Sequence, residues 1–258
     1  MLIPRSSCRI AASCSDIYVL DGYDEDYEWI SSFEVYSKGK KQWKSLTPFS
    51  DERSHYSVCS FLKGVYVVGG IIENSGYTNS CCKYETKDNK CYQIANLQTE
   101  RSNTACTVFE GKVVVTGGLN VEELRSVESY DYYGNEWKFL SNMITANSNH
   151  SAISMGIKMF VIGVGNLARS EVYDNISRTF TEFNFKQLTS QFSSYCFKAL
   201  GVSNKLMVFA DVDACYDLEL HVYNIDVEKW ISEDNLLKNI FTLPAYPSIE
   251  KHPKINNN

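Results

Sequence analysis

Three arginines recur at one fixed interval along the chain. Arg5, Arg53 and Arg101 lie 48 residues apart, and a serine follows each of them. A guanidinium group can bind a carboxylate through two parallel hydrogen bonds, so it orients an anion as well as attracting it. Further along, Ser148, Asn149 and His150 replace the Arg-Ser pair. The spacing indicates a repeated recognition or structural element rather than one reactive centre.

Residue sets typical of catalysis or metal binding are missing from the sequence. The cluster Cys81, Cys82 and Cys91 lacks the paired Cys-x2-Cys or His spacing of zinc sites. Four histidines are present, without a nucleophile elbow or a phosphate-binding glycine loop. We therefore expect no catalytic residue, no metal and no cofactor. The odd count of nine cysteines favours reduced thiols that pack as small apolar side chains.

The arginines belong to a longer repeating pattern. Five times, a tyrosine is followed seven residues later by a second, mostly aromatic residue: Tyr36/Trp43, Tyr84/Cys91, Tyr130/Trp137, Tyr173/Phe180 and Tyr223/Trp230. A period of about 50 residues is typical of propeller blades. The pattern therefore predicts repeated structural units, and such folds mostly present binding surfaces.

Each unit predicts four short strands. In the second unit these are residues 56–61, 65–68, 81–84 and the segment around 91–92, separated by Gly, Asn and Asp residues. The pairs Gly69/Gly70 and Gly117/Gly118 end the second strand of their units, where the backbone needs positive φ or close approach of a neighbour. The repeated aromatic residues are expected to pack each sheet against the next.

This pattern resembles the kelch repeat. The glycine pairs, the Tyr-x6-Trp spacing, the opening Arg-Ser and the stretch from Ser126 to Asp131 carry the resemblance, which covers about Arg5 to Trp230. It implies an all-β propeller with five recognisable four-stranded blades, either a five-bladed ring or an incomplete six-bladed one. We expect the propeller to span residues 1–240 and residues 241–258 to be a disordered tail. The expected units are approximately 5–48, 53–97, 101–142, 148–185 and 192–235.

Resemblance to the Kelch-like ubiquitin-ligase adaptors also implies a binding face. In that family, arginines and small polar residues near the blade start meet acidic or polar motifs of a substrate peptide. Carried over by position, these residues are Arg5, Arg53, His55, Arg101, Asn103, Asn149 and His150. The alternative is that the three arginines are structural and donate hydrogen bonds to carbonyls between blades.

The loop after Asp21-Gly22, which stand in the first unit where the glycine pairs stand in the next two, is a second candidate contact. Residues 23–29 combine four carboxylates with Tyr23, Tyr27 and Trp29. Exposed Tyr and Trp side chains are enriched at interface hot spots, so this loop is a candidate contact for a basic or apolar partner segment. A solvated loop is the alternative interpretation.

Composition narrows the class of partner. The net charge is −6 without a basic run, which argues against nucleic acid. No apolar stretch approaches the roughly 18 residues that span a bilayer, and the amino terminus lacks a secretory signal. We therefore expect a cytoplasmic protein that binds another protein.

Three functional classes stay open at this point. The favoured one is the substrate-recognition propeller of a Kelch-like adaptor for a cullin-RING ubiquitin ligase. Cullin binding would need BTB and BACK domains, which we expect to be absent from this chain. The alternatives are an actin-associated or other cytoskeletal kelch scaffold and, least favoured, an enzyme on a propeller fold.

Overall fold

Five successive repeat units each form one four-stranded antiparallel sheet. The computed structural model describes residues 1–13, 15–48, 53–163, 170–183, 198–211 and 218–231. The first sheet contains β1 (Arg9–Ala12), β2 (Asp16–Leu20), β3 (Phe33–Ser37) and β4 (Gln42–Leu46). After the short strand β5 (Arg53–Ser54), the second sheet contains β6 (Ser57–Phe61), β7 (Gly64–Val68), β10 (Cys81–Glu85) and β11 (Lys90–Ile94). Between β7 and β10 lie two more short strands, β8 (Ile71–Ile72) and β9 (Gly76–Tyr77).

The remaining three sheets repeat this order. The third contains β12 (Ala105–Phe109), β13 (Lys112–Thr116), β16 (Val127–Asp131) and β17 (Glu136–Phe139), and the short strands β14 (Leu119–Asn120) and β15 (Glu122–Glu123) fall between its middle strands. The fourth contains β18 (Ser151–Met155), β19 (Lys158–Ile162), β20 (Glu171–Asp174) and β21 (Thr179–Glu182). The fifth contains β22 (Lys198–Val202), β23 (Lys205–Asp211), β24 (Leu218–Asn224) and β25 (Lys229–Ile231).

The Tyr-x6-Trp spacing has a direct structural origin. Tyr130 on β16 is the cross-strand partner of Trp137 on β17, and Tyr36 stands opposite Trp43 in the same register. The two ring centroids lie 5.2 Å and 5.3 Å apart in these pairs. The equivalent pairs occupy the same register in the other three sheets. Since directly opposed aromatic side chains stabilise a strand pair, the repeat marks the outer hairpin of each blade.

The apolar cores lie between consecutive sheets. One cluster joins Phe33 of the first sheet to Tyr84 of the second, with the ring centroids 4.5 Å apart. The next cluster joins Tyr66 of the second sheet to Tyr130 and Trp137 of the third. Two further clusters join the third sheet to the fourth and the fourth to the fifth. Each unit therefore buries its face against its neighbours, as stacked repeats require.

The first strand of each sheet lies innermost. In each consecutive pair of sheets, the first strands contact one another, from β1 against β6 to β18 against β22. This is the radial arrangement of propeller blades, and it confirms the predicted all-β class with five four-stranded blades. Among the described strands no comparable contact joins β22 to β1. The described sheets therefore do not close into a ring.

The glycine pairs occupy the positions that were predicted to need them. Gly69 and Gly70 have φ of 61° and 114°. A Cβ atom on Gly70 would lie 2.7 Å from the carbonyl oxygen of Ser54, and one on Gly118 would lie 2.6 Å from that of Ser102. Only glycine allows the segment that opens a blade to approach the end of β7 or β13 so closely.

Several predictions fall on residues outside the described part of the chain. The expected tail at 241–258 does, as do the boundaries of the fifth unit at 192 and 235, and the domain limits stay predictions. The described cysteines are free thiols, and Cys59, Cys81 and Cys82 are buried. None of the described segments forms a helix long and apolar enough to cross a membrane.

Candidate partner-binding face

The strand order places two kinds of connection at opposite ends of the strands. Each row of strand ends is one edge of the sheet in this sense. Connections from the second to the third strand, and from one blade to the next, share one edge, because neighbouring strands run antiparallel. We call this edge the loop face: residues 1–8, 21–32, 47–48, 53–56, 69–80, 95–104, 117–126 and 140–150. The opposite edge is the turn face: residues 38–41, 62–63, 86–89, 110–111, 132–135, 156–157, 175–178, 203–204 and 225–228.

Arg101 lies inside the loop face rather than on its surface. The residue is 0% exposed. Its Nη1 donates to the carbonyl oxygens of Gly117 (2.9 Å) and Ser126 (3.0 Å), and its Nη2 forms an ion pair with Glu128 at 2.6 Å. Burial lowers the pKa of Arg101, and the Glu128 carboxylate opposes that shift. The guanidinium thus donates its hydrogen bonds within the blade, where they hold the ends of two strands together.

Arg5 and Arg53 repeat this arrangement. The side chain of Arg5 is fully buried and pairs with Glu34. Arg53 is 4% exposed, and its Nη1 donates to the carbonyl oxygens of Gly69 (3.2 Å) and Ser80 (3.0 Å). A partner molecule could not reach these groups without opening the blade. The geometry therefore supports the structural alternative for all three arginines, except that their carbonyl acceptors lie within one blade rather than between blades.

In the first, third and fourth blades, a glutamate two residues before the repeated tyrosine binds the segment that leads into the same blade. Each carboxylate accepts hydrogen bonds from two consecutive backbone amides: Glu34 from Leu2 and Ile3, Glu128 from Gln98 and Thr99, and Glu171 from Ile144 and Thr145. All three glutamates are at most 1% exposed. The structure therefore identifies this glutamate as the residue that holds the segment leading into its blade.

The opening segment of the fourth unit has a different register from the predicted one. Strand β18 begins at Ser151 and β12 at Ala105, so Asn147 stands where Arg101 stands in the third unit. His55 matches Asn149, and both have positive φ (55° and 54°). His150 therefore matches Tyr56 of the second unit and not His55.

His150 and Tyr56 both connect their own blade to the preceding one. Nε2 of His150 lies 2.7 Å from the hydroxyl oxygen of Thr116, and the Tyr56 hydroxyl donates to the carboxylate of Asp21. His150 is 3% exposed, and burial lowers its pKa to about 3, with a smaller effect from the charge of Lys198. A neutral, buried imidazole is not accessible to a partner, so His150 is not a partner-contact residue in this structure.

Backbone hydrogen bonds connect three positive-φ residues, His55, Asn103 and Asn149, beside the innermost strands. The amide of Asn149 donates to the carbonyl of Asn103, and the amide of Asn103 donates to the carbonyl of His55, both at 2.8 Å. His55 and Asn149 are exposed, and Asn103 is half-buried. Of the predicted blade-start residues, these three have side chains that a partner could reach beside the innermost strands.

Three short ribbons project from the loop face. Loop ribbon 1 (residues 23–29) is formed by bridges from Tyr23 to Ser6 and to Trp29. Loop ribbon 2 (residues 71–77) is formed by β8 and β9, with β5 beside β8, and loop ribbon 3 (residues 119–123) by β14 and β15. Pairing with the Arg-Ser segments joins all three ribbons to their blades. The ribbons are therefore held on a rigid base, which lowers the ordering cost of binding.

Loop ribbon 1 presents aromatic side chains to solvent. Tyr27 is 84% exposed and Trp29 is 38% exposed, while Tyr23 is half-buried. The rings of Tyr23 and Trp29 meet edge to face with centroids 5.1 Å apart. The carboxylate of Asp24 accepts from the amides of Asp26 (3.0 Å) and Glu28 (2.8 Å), which fixes the bend. The predicted residues Tyr23 and Trp29 thus lie together in one shaped loop.

The accessible charge on the described loop face is acidic. Its exposed or half-exposed carboxylates are Asp24, Glu25, Asp26, Glu28, Glu73, Glu100, Glu122 and Glu123. Arg125 is the exposed cationic side chain on the same residues, and the half-buried Arg9 lies at the border, where its Nε donates to the Tyr56 carbonyl. With the three opening arginines buried, the field at this face attracts cationic groups.

Two Kelch motif models match this chain, at residues 4–49 and at residues 100–144. The chain carries two Kelch motifs and resembles kelch-repeat proteins. The matched segments are the first and third blades, including their opening arginines, the Asp21-Gly22 and Gly117-Gly118 positions and the Tyr/Trp hairpins. The sheets described above therefore resemble the propeller domains of Kelch-like proteins.

Curated relatives support the same assignment. Kelch-like protein 41b of Danio rerio is 25% identical over 62% of this chain and 27% of its own length. Alpha-scruin of Limulus polyphemus is 24% identical over 67% of this chain and 21% of its own length. Kelch repeat and BTB domain-containing protein 1 of Cowpox virus (strain Brighton Red) is 26% identical over 74% of this chain and 35% of its own length. The matches span about a quarter of the length of the first relatives.

These kelch relatives support a protein-interaction module. Within the ranges that the structure describes, no group of three or more His, Cys, Asp and Glu side chains is arranged to hold a metal ion. The expectation that the chain is not an enzyme stays a prediction, because binding geometry alone does not test catalysis.

Proposed function

We propose that this kelch propeller binds a partner protein on its loop face and presents it to a cullin-RING ubiquitin ligase. The observation that carries the proposal is the set of three projecting ribbons, each paired to a blade whose base is fixed by buried polar contacts. Loop ribbon 1 adds exposed aromatic side chains, which supply large contact area at low entropic cost. A cytoplasmic location is part of the proposal.

Ligase attachment is the finer part of this proposal. It is supported by similarity to Kelch-like protein 41b and to a poxvirus relative whose name includes a BTB domain. In this scheme the propeller selects the partner, and BTB and BACK domains supplied from outside residues 1–258 would hold the cullin. Recognition and ligase attachment are thus separable functions that need separate measurements.

Affinity isolation of the full chain from cells tests the proposal. Cullin is quantified in the isolated complex by mass spectrometry, and ubiquitin conjugation is measured on the co-purified partner. Trp29→Ala should lose the partner, whereas Tyr133→Ala, which removes a 94% exposed aromatic from the turn face, should retain it. A partner that co-purifies without any cullin or ubiquitin conjugation would contradict the ligase role.

A cytoskeletal scaffold is the second candidate. Similarity to Alpha-scruin over 67% of this chain keeps it in consideration, together with the kelch resemblance itself. Sedimentation with purified actin filaments separates the two. Co-sedimentation that saturates with filament concentration, in a preparation without cullin, would favour the scaffold over the adaptor.

A further inference from the structure

The loop face combines exposed apolar side chains with acidic ones. Tyr27 and Val121 are 84% and 83% exposed, and both lie on ribbons of the same face. Large exposed apolar side chains that cluster on one surface mark interaction sites. The aromatic pair Tyr23 and Trp29 is already ordered by its edge-to-face contact, so this part of the surface needs little rearrangement to bind.

The chemistry around these rings selects the occupant. Glu25, Asp26 and Glu28 are exposed beside Tyr27 and Trp29 within seven residues. Ring faces of Tyr and Trp attract ammonium and guanidinium groups, and nearby carboxylates accept hydrogen bonds from the same groups. An acidic segment would instead meet repulsion from these carboxylates, because the arginines that could offset it are buried.

We infer that loop ribbon 1, assisted by the adjacent ribbons, binds a basic peptide segment of a partner protein in which Arg or Lys side chains alternate with apolar ones. This inference rests on the proposed function in that it uses the same loop face. It reverses the sign of charge that the kelch resemblance implied for the partner. The apolar side chains contact Tyr27 and Trp29, and the cationic ones contact Glu25 and Glu28.

Selection from a phage-displayed library of random twelve-residue peptides tests the inference. The immobilised full chain should enrich peptides with several Arg or Lys residues separated by apolar residues. Affinities of the enriched peptides are then measured by fluorescence anisotropy at low and high salt. Because binding depends on charge complementarity at an exposed surface, affinity should fall as ionic strength rises.

Variants locate the site on the molecule. Trp29→Ala and the double variant Glu25→Gln/Glu28→Gln should each weaken the selected peptides at least about tenfold. Two controls lie on the turn face: Tyr133→Ala removes an aromatic side chain that is 94% exposed, and Glu110→Gln removes an exposed carboxylate. Both controls should bind the peptides as tightly as the unmodified chain.

Three results would overturn the inference. Enrichment of acidic peptides, or no enrichment at all, would contradict the proposed chemistry. Equal weakening by the turn-face controls would contradict the location. A second copy of the chain is a rival occupant, because Lys38, Lys40 and Lys41 are exposed on the turn face. Self-association in sedimentation velocity that Glu25→Gln/Glu28→Gln abolishes would assign the ribbon to that contact.

Failure of the ligase proposal would give a different pattern. Selected basic peptides would still bind and would still respond to Trp29→Ala, while the complex isolated from cells would lack cullin. The two proposals are therefore judged by independent readouts.

Discussion

Replacing Arg101 by alanine tests whether the repeated arginines hold the blades together. The change removes the ion pair with Glu128 and the bonds to the carbonyls of Gly117 and Ser126. Removing one partner of a buried ion pair costs about 3–5 kcal/mol, because the other charge stays buried without compensation. The free energy of unfolding of a domain is about 5–15 kcal/mol. Arg101→Ala should therefore unfold at a much lower urea concentration or fail to accumulate as soluble protein.

Urea unfolding, followed by tryptophan fluorescence at neutral pH, measures the effect. Arg101→Lys keeps the charge but not the forked geometry, so it should remain soluble with an intermediate midpoint. A double-mutant cycle with Glu128→Gln isolates the coupling between the two side chains. Glu136→Gln is the control: it breaks an exposed pair with Lys138 and should leave the midpoint unchanged.

The opposite outcome would favour partner contact by the arginines. If Arg101→Ala unfolds at the midpoint of the unmodified chain and loses only partner binding, the guanidinium is not a structural group. The burial of Arg101 and the inferred preference for basic partners would then both need revision.

Three further changes probe the blade junctions. Burial lowers the pKa of His150 to about 3, against about 6.5 in the unfolded chain. Between pH 7 and pH 5 the unfolded state therefore binds a proton that the folded state does not, and the free energy of unfolding should fall by about 2 kcal/mol. His150→Gln should reduce this pH dependence in urea titrations. Gly70→Ala meets a carbonyl oxygen at φ 114° and should lower stability by about 2 kcal/mol, whereas Gly39→Ala, with open space around its Cβ, should be neutral in thermal melts. Asn135→Ala loses the bonds that its side chain accepts from the Tyr130 hydroxyl and the Ala95 amide, and calorimetry should record a loss of about 1–2 kcal/mol.

The blade pattern could be predicted because it depends on local spacing. Two residues seven apart face each other when a short turn joins their strands, so Tyr130 and Trp137 encode one hairpin and its register. The glycine pairs were predictable for a similar reason. Gly70 has positive φ and a close backbone neighbour, and no other residue type meets both requirements.

The roles of the opening residues could not be predicted from spacing. A recurring arginine suits both a binding face and a buried ion pair, and only the three-dimensional position of Glu128 distinguishes them. The register of the fourth unit could not be predicted, because Asn147 occupies the position of the opening arginine. No arginine therefore marks where that unit begins. Both His55 and His150 were candidate contact residues, and the structure shows that His55 is exposed whereas His150 is buried.

Hydrogen–deuterium exchange with and without a selected basic peptide tests the central claim most directly. Binding at the loop face predicts slower exchange in loop ribbon 1 and loop ribbon 2, at residues 23–29 and 71–77. Exchange at turn-face residues 38–41 and 132–135 should stay unchanged. Protection of the turn face, with none in the ribbons, would contradict the assignment of the loop face as the binding surface.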